Sequence, residues 1–160
     1  MEYRKLGKLD VSVVGLGTFR TFDVTNEADL AQRRQIIDNL LSNGINFIDS
    51  AAWYGASEKA VGTTIKGKRD QFYLATKVRI EGKKAGEQQI SQSFENFGVD
   101  YIDLFQVHYS SPEVPHEELI GPMSELVEQG KVRYIGNCNT ASWRFHEEMT
   151  VARERGMANF

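Results

Sequence analysis

The stretch NFIDSAAWYG, Asn46–Gly55, decides how this chain folds. Phe47 and Ile48 run straight into Asp49, small residues follow, and Tyr54-Gly55 closes the stretch. Apolar residues ending in a carboxylate read as a buried strand that empties into a loop, carrying polar side chains to one end of a sheet. The segment just before it is helical: Leu30, Ile37, Leu40 and Leu41 recur at helical spacing within 26–43, and Gly44 stands where a helix stops.

The same pattern repeats downstream. Val61 and Ile65 lead to Gly67 and then the apolar run Phe72–Ala75; Ile90, Phe94 and Phe97 lead to Gly98 and then Ile102–Val107. Leu119, Met123, Leu126 and Val127 precede Gly130 and a strand at Val132–Ile135. Phe145, Met149 and Ala152 precede Gly156, with a further strand expected to open at Ala158. From Phe47 to Tyr73, Asp103 and Tyr134 the steps are 26, 30 and 31 residues. Room for a helix between successive strands means parallel strands built from βα units.

Upstream, Met1–Asp10 is polar with Tyr3 and Leu6 interspersed, and Gly7-Lys8 turns it back on Val11–Val14 as a short hairpin. Val13–Thr18 then reads as a strand ending in glycine. Gly15-Leu16-Gly17 does not complete a dinucleotide fingerprint, because the third glycine is replaced by Arg20. Glycines here let backbone pass close to a ligand or a packing layer. Between a doubly wound sheet and a (β/α)8 barrel, the barrel is the better reading, since it gathers polar residues at the C-terminal ends of several strands. Asp49, Lys77, His108 and Asn139 all stand at such ends.

Composition bounds the rest. With 160 residues, 41% hydrophobic and 26% charged, the chain has material for one ordinary core, read as a single domain over 1–160. A net charge of −3 and a pI near 5.7 give no basic field for nucleic acid or anionic membrane. Cys138 is the lone cysteine, so no internal disulfide framework exists; no apolar run is long enough to span a bilayer, and the N-terminus lacks a signal-peptide core. The expectation is a cytoplasmic protein.

Each polar strand-end residue has a plainer explanation when taken alone. Asp49 could cap a turn, Lys77 could be a solvated terminus, His108 an ordinary hydrogen-bonded histidine, and Tyr54 a packing residue with its hydroxyl in water. Four such readings in register are less economical than one shared site. A metal site is disfavoured because His108, His116, His146 and Cys138 share neither ligand spacing nor face. The Tyr and Lys of a short-chain dehydrogenase lie four positions apart, and Glu58 occupies that offset from Tyr54. Cys138 lacks the glycine context of a hydrolase elbow, being followed by Asn139-Thr140.

Tyr3-Arg4-Lys5-Leu6-Gly7 leading to Gly15–Thr18, the stretch Asn46–Gly55, Leu74–Lys77, Tyr101–Leu104 with Gln106-Val107-His108, and Gly130–Gly136 together resemble the aldo-keto reductases. They occur in that family's order and cover nearly the whole chain. The resemblance implies a (β/α)8 barrel that binds NADPH without a Rossmann motif and reduces small-molecule aldehydes or ketones to alcohols. By position it implies Tyr54 as general acid, Asp49 and Lys77 as its tuning pair, and His108 as the residue that orients the carbonyl. These residue types suit the chemistry: as hydride reaches the carbonyl carbon, negative charge grows on its oxygen, which calls for a proton donor and a positive field.

The resemblance also implies cofactor contacts from Gly17, Thr18, Phe19, Asp49 and Asn139, with Cys138 where a serine is usual. Phe19, Trp53 and Tyr109 would line the substrate pocket. A full barrel takes roughly 250 residues, so about five of its eight βα units are present, and a truncated reductase is expected. The alternative is a non-catalytic barrel fragment that senses cofactor or binds a partner. Open barrel edges favour self-association.

Overall fold

The computed structural model describes residues 1–109 and 112–160, with Lys83 described through its backbone alone. Strands β1 (Tyr3–Leu6) and β2 (Leu9–Ser12) form an antiparallel hairpin across Gly7-Lys8, with Leu6 opposite Leu9. The turn needs a left-handed residue, and Gly7 supplies it at φ +58°. It also needs a residue without a side chain, since a Cβ there would come within 2.5 Å of the Tyr134 ring.

Five parallel strands follow in sequential order: β3 (Leu16–Gly17), β4 (Phe47–Asp49), β5 (Tyr73–Val78), β6 (Ile102–Val107) and β7 (Val132–Asn137). Between and after them run α1 (Glu27–Ser42), α2 (Ser57–Thr64), α3 (Lys83–Phe97), α4 (His116–Glu128) and α5 (Ser142–Glu154). Sequential order with a helix between neighbours is the winding of a partial (β/α)8 barrel carrying an N-terminal hairpin. Local chemistry sets the helix ends. Asn26 caps α1 by accepting from the Asp29 amide at 2.9 Å, and α3 stops on Gly98 in the left-handed region.

Strand alternation divides the sheet into two faces. Ile48, Leu74, Phe105 and Ile135 are buried in one cluster with Ile37, Val61, Ile90, Leu119, Met123 and Ala152 of the helices. Each of these side chains larger than alanine contributes roughly 1.5–3 kcal/mol by leaving water. On the opposite face Phe47, Leu104 and Tyr134 are only half-buried, and Phe47 and Leu104 help line a cleft of about 620 Å³ with Leu6 and Val11 of the hairpin. The Tyr134 hydroxyl accepts from the Lys8 amide at 2.8 Å, which holds the hairpin against this inner face. Asp103, facing outward, is fully buried but paired with Arg69 at 2.8 Å and Arg133 at 3.1 Å, so its charge is compensated where β5, β6 and β7 meet.

Two expected strands differ. The run Val13–Thr18 contributes only Leu16–Gly17 to the sheet, because Val13 and Val14 stay exposed and Val13 bonds back to Glu2. No strand opens at Ala158: its amide donates to Ser124 Oγ at 2.8 Å, and Phe160 packs edge-on against Phe145 at 5.1 Å. Apolar residues there serve helix packing. Among the described residues no helix is long and apolar enough to cross a membrane, and no group of three or more His, Cys, Asp or Glu is placed to hold a metal ion.

Candidate active site

The C-terminal ends of β4, β5 and β6 bring Asp49, Lys77 and His108 to one side, and the turn after β4 adds Tyr54. Pairing continues past β4, with the Ser50 amide on the Ala75 carbonyl at 2.9 Å and the Ala52 amide on the Lys77 carbonyl at 3.0 Å. Tyr54 then sits in a tight turn, its amide on the Ala51 carbonyl and its carbonyl accepting from Ser57. Asp23 secures that turn by accepting from the Ala56 amide at 2.8 Å, against a Gly55 that has no room for a Cβ.

Lys77 is buried, and its Nζ donates to Asp49 Oδ2 at 2.6 Å and to the Ser50 carbonyl at 2.8 Å. A buried ammonium stays charged only with such partners. The same nitrogen lies 5.3 Å from the centre of the Tyr54 ring. His108 meets that ring edge-on at 5.8 Å and lies tilted on Tyr109 at 4.7 Å. Its imidazole is pushed below the ordinary histidine range, first by burial and then by the charge of Lys77, with Arg79 adding and Asp49 opposing. His108 is therefore held neutral, and its Nδ1 is buried without a hydrogen-bond partner among the described residues.

Asn139 lies two residues beyond β7 in the left-handed region, at φ +52°, a conformation asparagine tolerates. Its Nδ2 donates to the His108 carbonyl at 3.0 Å and to Cys138 Sγ at 3.3 Å. Asn137 braces the turn from below: its Oδ1 accepts from the Cys138 amide at 2.9 Å and from Thr140 Oγ1 at 2.6 Å, while its Nδ2 donates to the buried Glu148.

A cavity of about 350 Å³ opens beside Tyr54 and His108, lined also by Phe19, Trp53, Arg79 and Tyr109. The Tyr54 and Phe19 rings pack at 4.9 Å. Of the residues expected from sequence, Asp49, Tyr54, Lys77 and His108 come together, Phe19, Trp53 and Tyr109 wall the cavity, and Asn139 joins through His108. Gly17 is exposed, with open space where a Cβ would be. Thr18 is placed differently. It is fully buried, its hydroxyl donates to Ser50 at 2.9 Å, its amide bonds Asp49, and its carbonyl accepts from Phe22 and Ser57.

Sequence reasoning overlooked Arg79, whose guanidinium stacks over Trp53 at 5.1 Å and Tyr109 at 5.8 Å. It also overlooked Gln89, whose side-chain oxygen accepts from the Arg79 amide and the Trp53 indole. Arg79 had a legible signal, standing two positions past Lys77 along an extended backbone and so on the same side.

A family model for the aldo/keto reductase family matches residues 13–157. The chain belongs to the aldo/keto reductase family. Among curated aldo-keto reductases, it is 37% identical over 149 residues to str7 of Strobilurus tenacellus, covering 83% of this chain and 44% of that one. It is 38% identical over 156 residues to YhdN of Bacillus subtilis, covering 87% and 47%. The chain thus spans about half the length of these relatives. An aldo-keto reductase of Klebsiella pneumoniae, crystallised with NADPH, superposes with a TM-score of 0.80 at 27% identity, over 90% of this chain and 51% of that one.

Proposed function

We propose that this half-barrel carries the proton-donating side of an NADPH-dependent carbonyl reductase site, acting on aldehydes or ketones. The observation that carries the reading is the convergence of Tyr54 and a neutral His108 on one aromatic cavity, with the Lys77–Asp49 pair beside the Tyr54 ring. Family membership and the NADPH bound by the Klebsiella pneumoniae neighbour support it.

The residues present fit a nicotinamide. Asn139 commits its Nδ2 to His108 and Cys138, leaving its side-chain oxygen to accept from a carboxamide, and Gly17 leaves room for a flat ring beside the strand ends. Phe19 would add an apolar wall, whereas Thr18 is fully buried with its hydroxyl donating to Ser50. Bound there, NADPH would supply the hydride that a carbonyl carbon receives.

The chain's own residues handle the oxygen. The Tyr54 hydroxyl, which makes no hydrogen bond among the described residues, gives its proton to the carbonyl oxygen as charge grows there. Lys77, fixed by Asp49 and Ser50, holds positive charge beside the Tyr54 ring and stabilises the phenolate left behind. A neutral His108 donates an N–H to the same oxygen and orients the carbonyl without adding a second cation. Phe19, Trp53 and Tyr109, each about half exposed, give the open cavity apolar walls along which a substrate can lie.

The test is turnover and cofactor binding of the purified 160-residue chain and its Tyr54→Phe variant. Aldehyde-dependent NADPH oxidation should fall about 100-fold or more in the variant, while NADPH affinity, read by cofactor fluorescence, stays close to wild type. Equal losses in both would sink the acid role.

The free edges of β3 and β7 and the half-buried Phe47, Leu104 and Tyr134 favour a second proposal, self-association of the chain through its inner face. Sedimentation showing a monomer at every concentration would remove it.

A further inference from the structure

The cavity is aromatic on three sides, yet the one charged side chain among its described lining residues is Arg79. We propose that Arg79 makes this site selective for aldehydes that carry a carboxylate, with the carbonyl at Tyr54 and His108 and the carboxylate on the guanidinium. This deepens the carbonyl-reductase reading and rests on it.

Three observations carry the inference. First, Arg79 is held in place: its guanidinium covers the Trp53 ring and approaches the Tyr109 ring, and Gln89 accepts from its backbone amide. Stacking on aromatic faces leaves the in-plane N–H groups free to form the two parallel bonds that a carboxylate accepts. Second, the competing carboxylates are weak or engaged. Glu81 reaches Arg79 at 3.5 Å with its own side chain 59% exposed, a pairing that a bound ligand can displace. Asp49 is committed to Lys77, and Asp23 to the Ala56 amide. Third, Arg20 brings a second guanidinium close to the site, 5.0 Å from the centre of the Phe19 ring that lines the cavity. In a chain with net charge −3, two guanidinium groups thus lie against aromatic residues of this cavity.

The aromatic walls fit a flat body between the two polar ends, so para-carboxybenzaldehyde is the natural probe and its neutral amide, para-carbamoylbenzaldehyde, the control. An anion on Arg79 could instead be a phosphate of the cofactor, and the test separates the two. kcat/KM is measured for both aldehydes with the 160-residue wild type, Arg79→Met and Arg79→Lys. Wild type should prefer the carboxylate about 10- to 100-fold, the range of a charge-assisted hydrogen bond. That ratio should collapse in Arg79→Met and survive in part in Arg79→Lys. An unchanged ratio in Arg79→Met overturns the proposal, as does an NADPH affinity that falls in that variant while the ratio holds. If wild type reduces neither aldehyde, the reductase reading fails separately, and quenching of tryptophan fluorescence by the two aldehydes then decides. Tighter binding of the carboxylate in wild type but not in Arg79→Met upholds the anion site, and equal binding removes it.

Discussion

Asn139 Nδ2 donates to the carbonyl of His108 at 3.0 Å, so the loops that follow β6 and β7 are tied at the point where each delivers a site residue. Asn139 makes that bond from a left-handed backbone. Alanine there loses the bond and also strains the backbone, whereas glycine loses only the bond. Asn139→Ala should be less stable than Asn139→Gly by about 1 kcal/mol, measured by urea unfolding. Equal stability would mean that the turn relaxes when the side chain is removed.

The Lys77–Asp49 pair is asymmetric, since the Lys77 side chain is 8% exposed and that of Asp49 32%. Removing Asp49's charge leaves a buried ammonium with neutral acceptors alone, while removing Lys77 leaves a carboxylate that water can reach. Asp49→Asn should therefore cost about 3 kcal/mol, the lower end for breaking a buried pair, and Lys77→Met distinctly less. Denaturation midpoints in the reverse order would show that burial of Lys77 is not the governing feature.

His108 gives the fold a pH dependence of defined sign. Its folded-state affinity for protons is depressed by burial and by Lys77, while in the unfolded chain it titrates near about 6.5. Below that pH the unfolded state binds the proton first, so its contribution to stability is intact above about pH 6.5. It is then lost as pH falls toward the folded-state value. Urea midpoints taken from neutral to mildly acidic pH should decline more steeply for wild type than for His108→Gln. Parallel curves would locate the acid sensitivity elsewhere.

Gly62 on α2 faces the backbone of Phe97 on α3, where a Cβ would stand 2.2 Å from the carbonyl oxygen. Backbone cannot swing aside as a side chain can. Gly62→Ala should push the helices apart and destabilise the fold by about 1–3 kcal/mol despite alanine's better helix propensity. A thermal midpoint at or above wild type would show that α2 shifts freely.

The sheet was legible because helix, glycine and strand are local signals, and each repeat announced the next strand through residues close to it in sequence. Asp49, Lys77 and His108 could be read for the same reason, each standing at the end of an apolar run. What stayed hidden depends on distant partners. Thr18 looked available to a ligand, but Ser50 and Ser57, 32 and 39 residues away, take up its side chain and carbonyl. Ala158 looked like a strand because apolar residues follow a helix stop, yet Ser124 claims its amide. Glu58 reads as one more helix charge, and only the fold shows it buried between Thr76 and Asn96. Arg79 alone was within reach of sequence, through its spacing from Lys77.

The hydrogen bond from Lys8 to Tyr134 joins residues 126 positions apart, and that separation bears on the order of assembly. Closing so long a loop loses chain entropy that local helices and neighbouring βα pairs never face. β7 must also be on the sheet before Tyr134 can offer its hydroxyl. The hairpin can bond early to Gly44 and Asn46, just before β4, but its contact with the inner face at Tyr134 waits for β7. The first strands of the chain therefore complete their seating only once β7 is paired, and the Tyr134 end of the inner face stays uncovered until then.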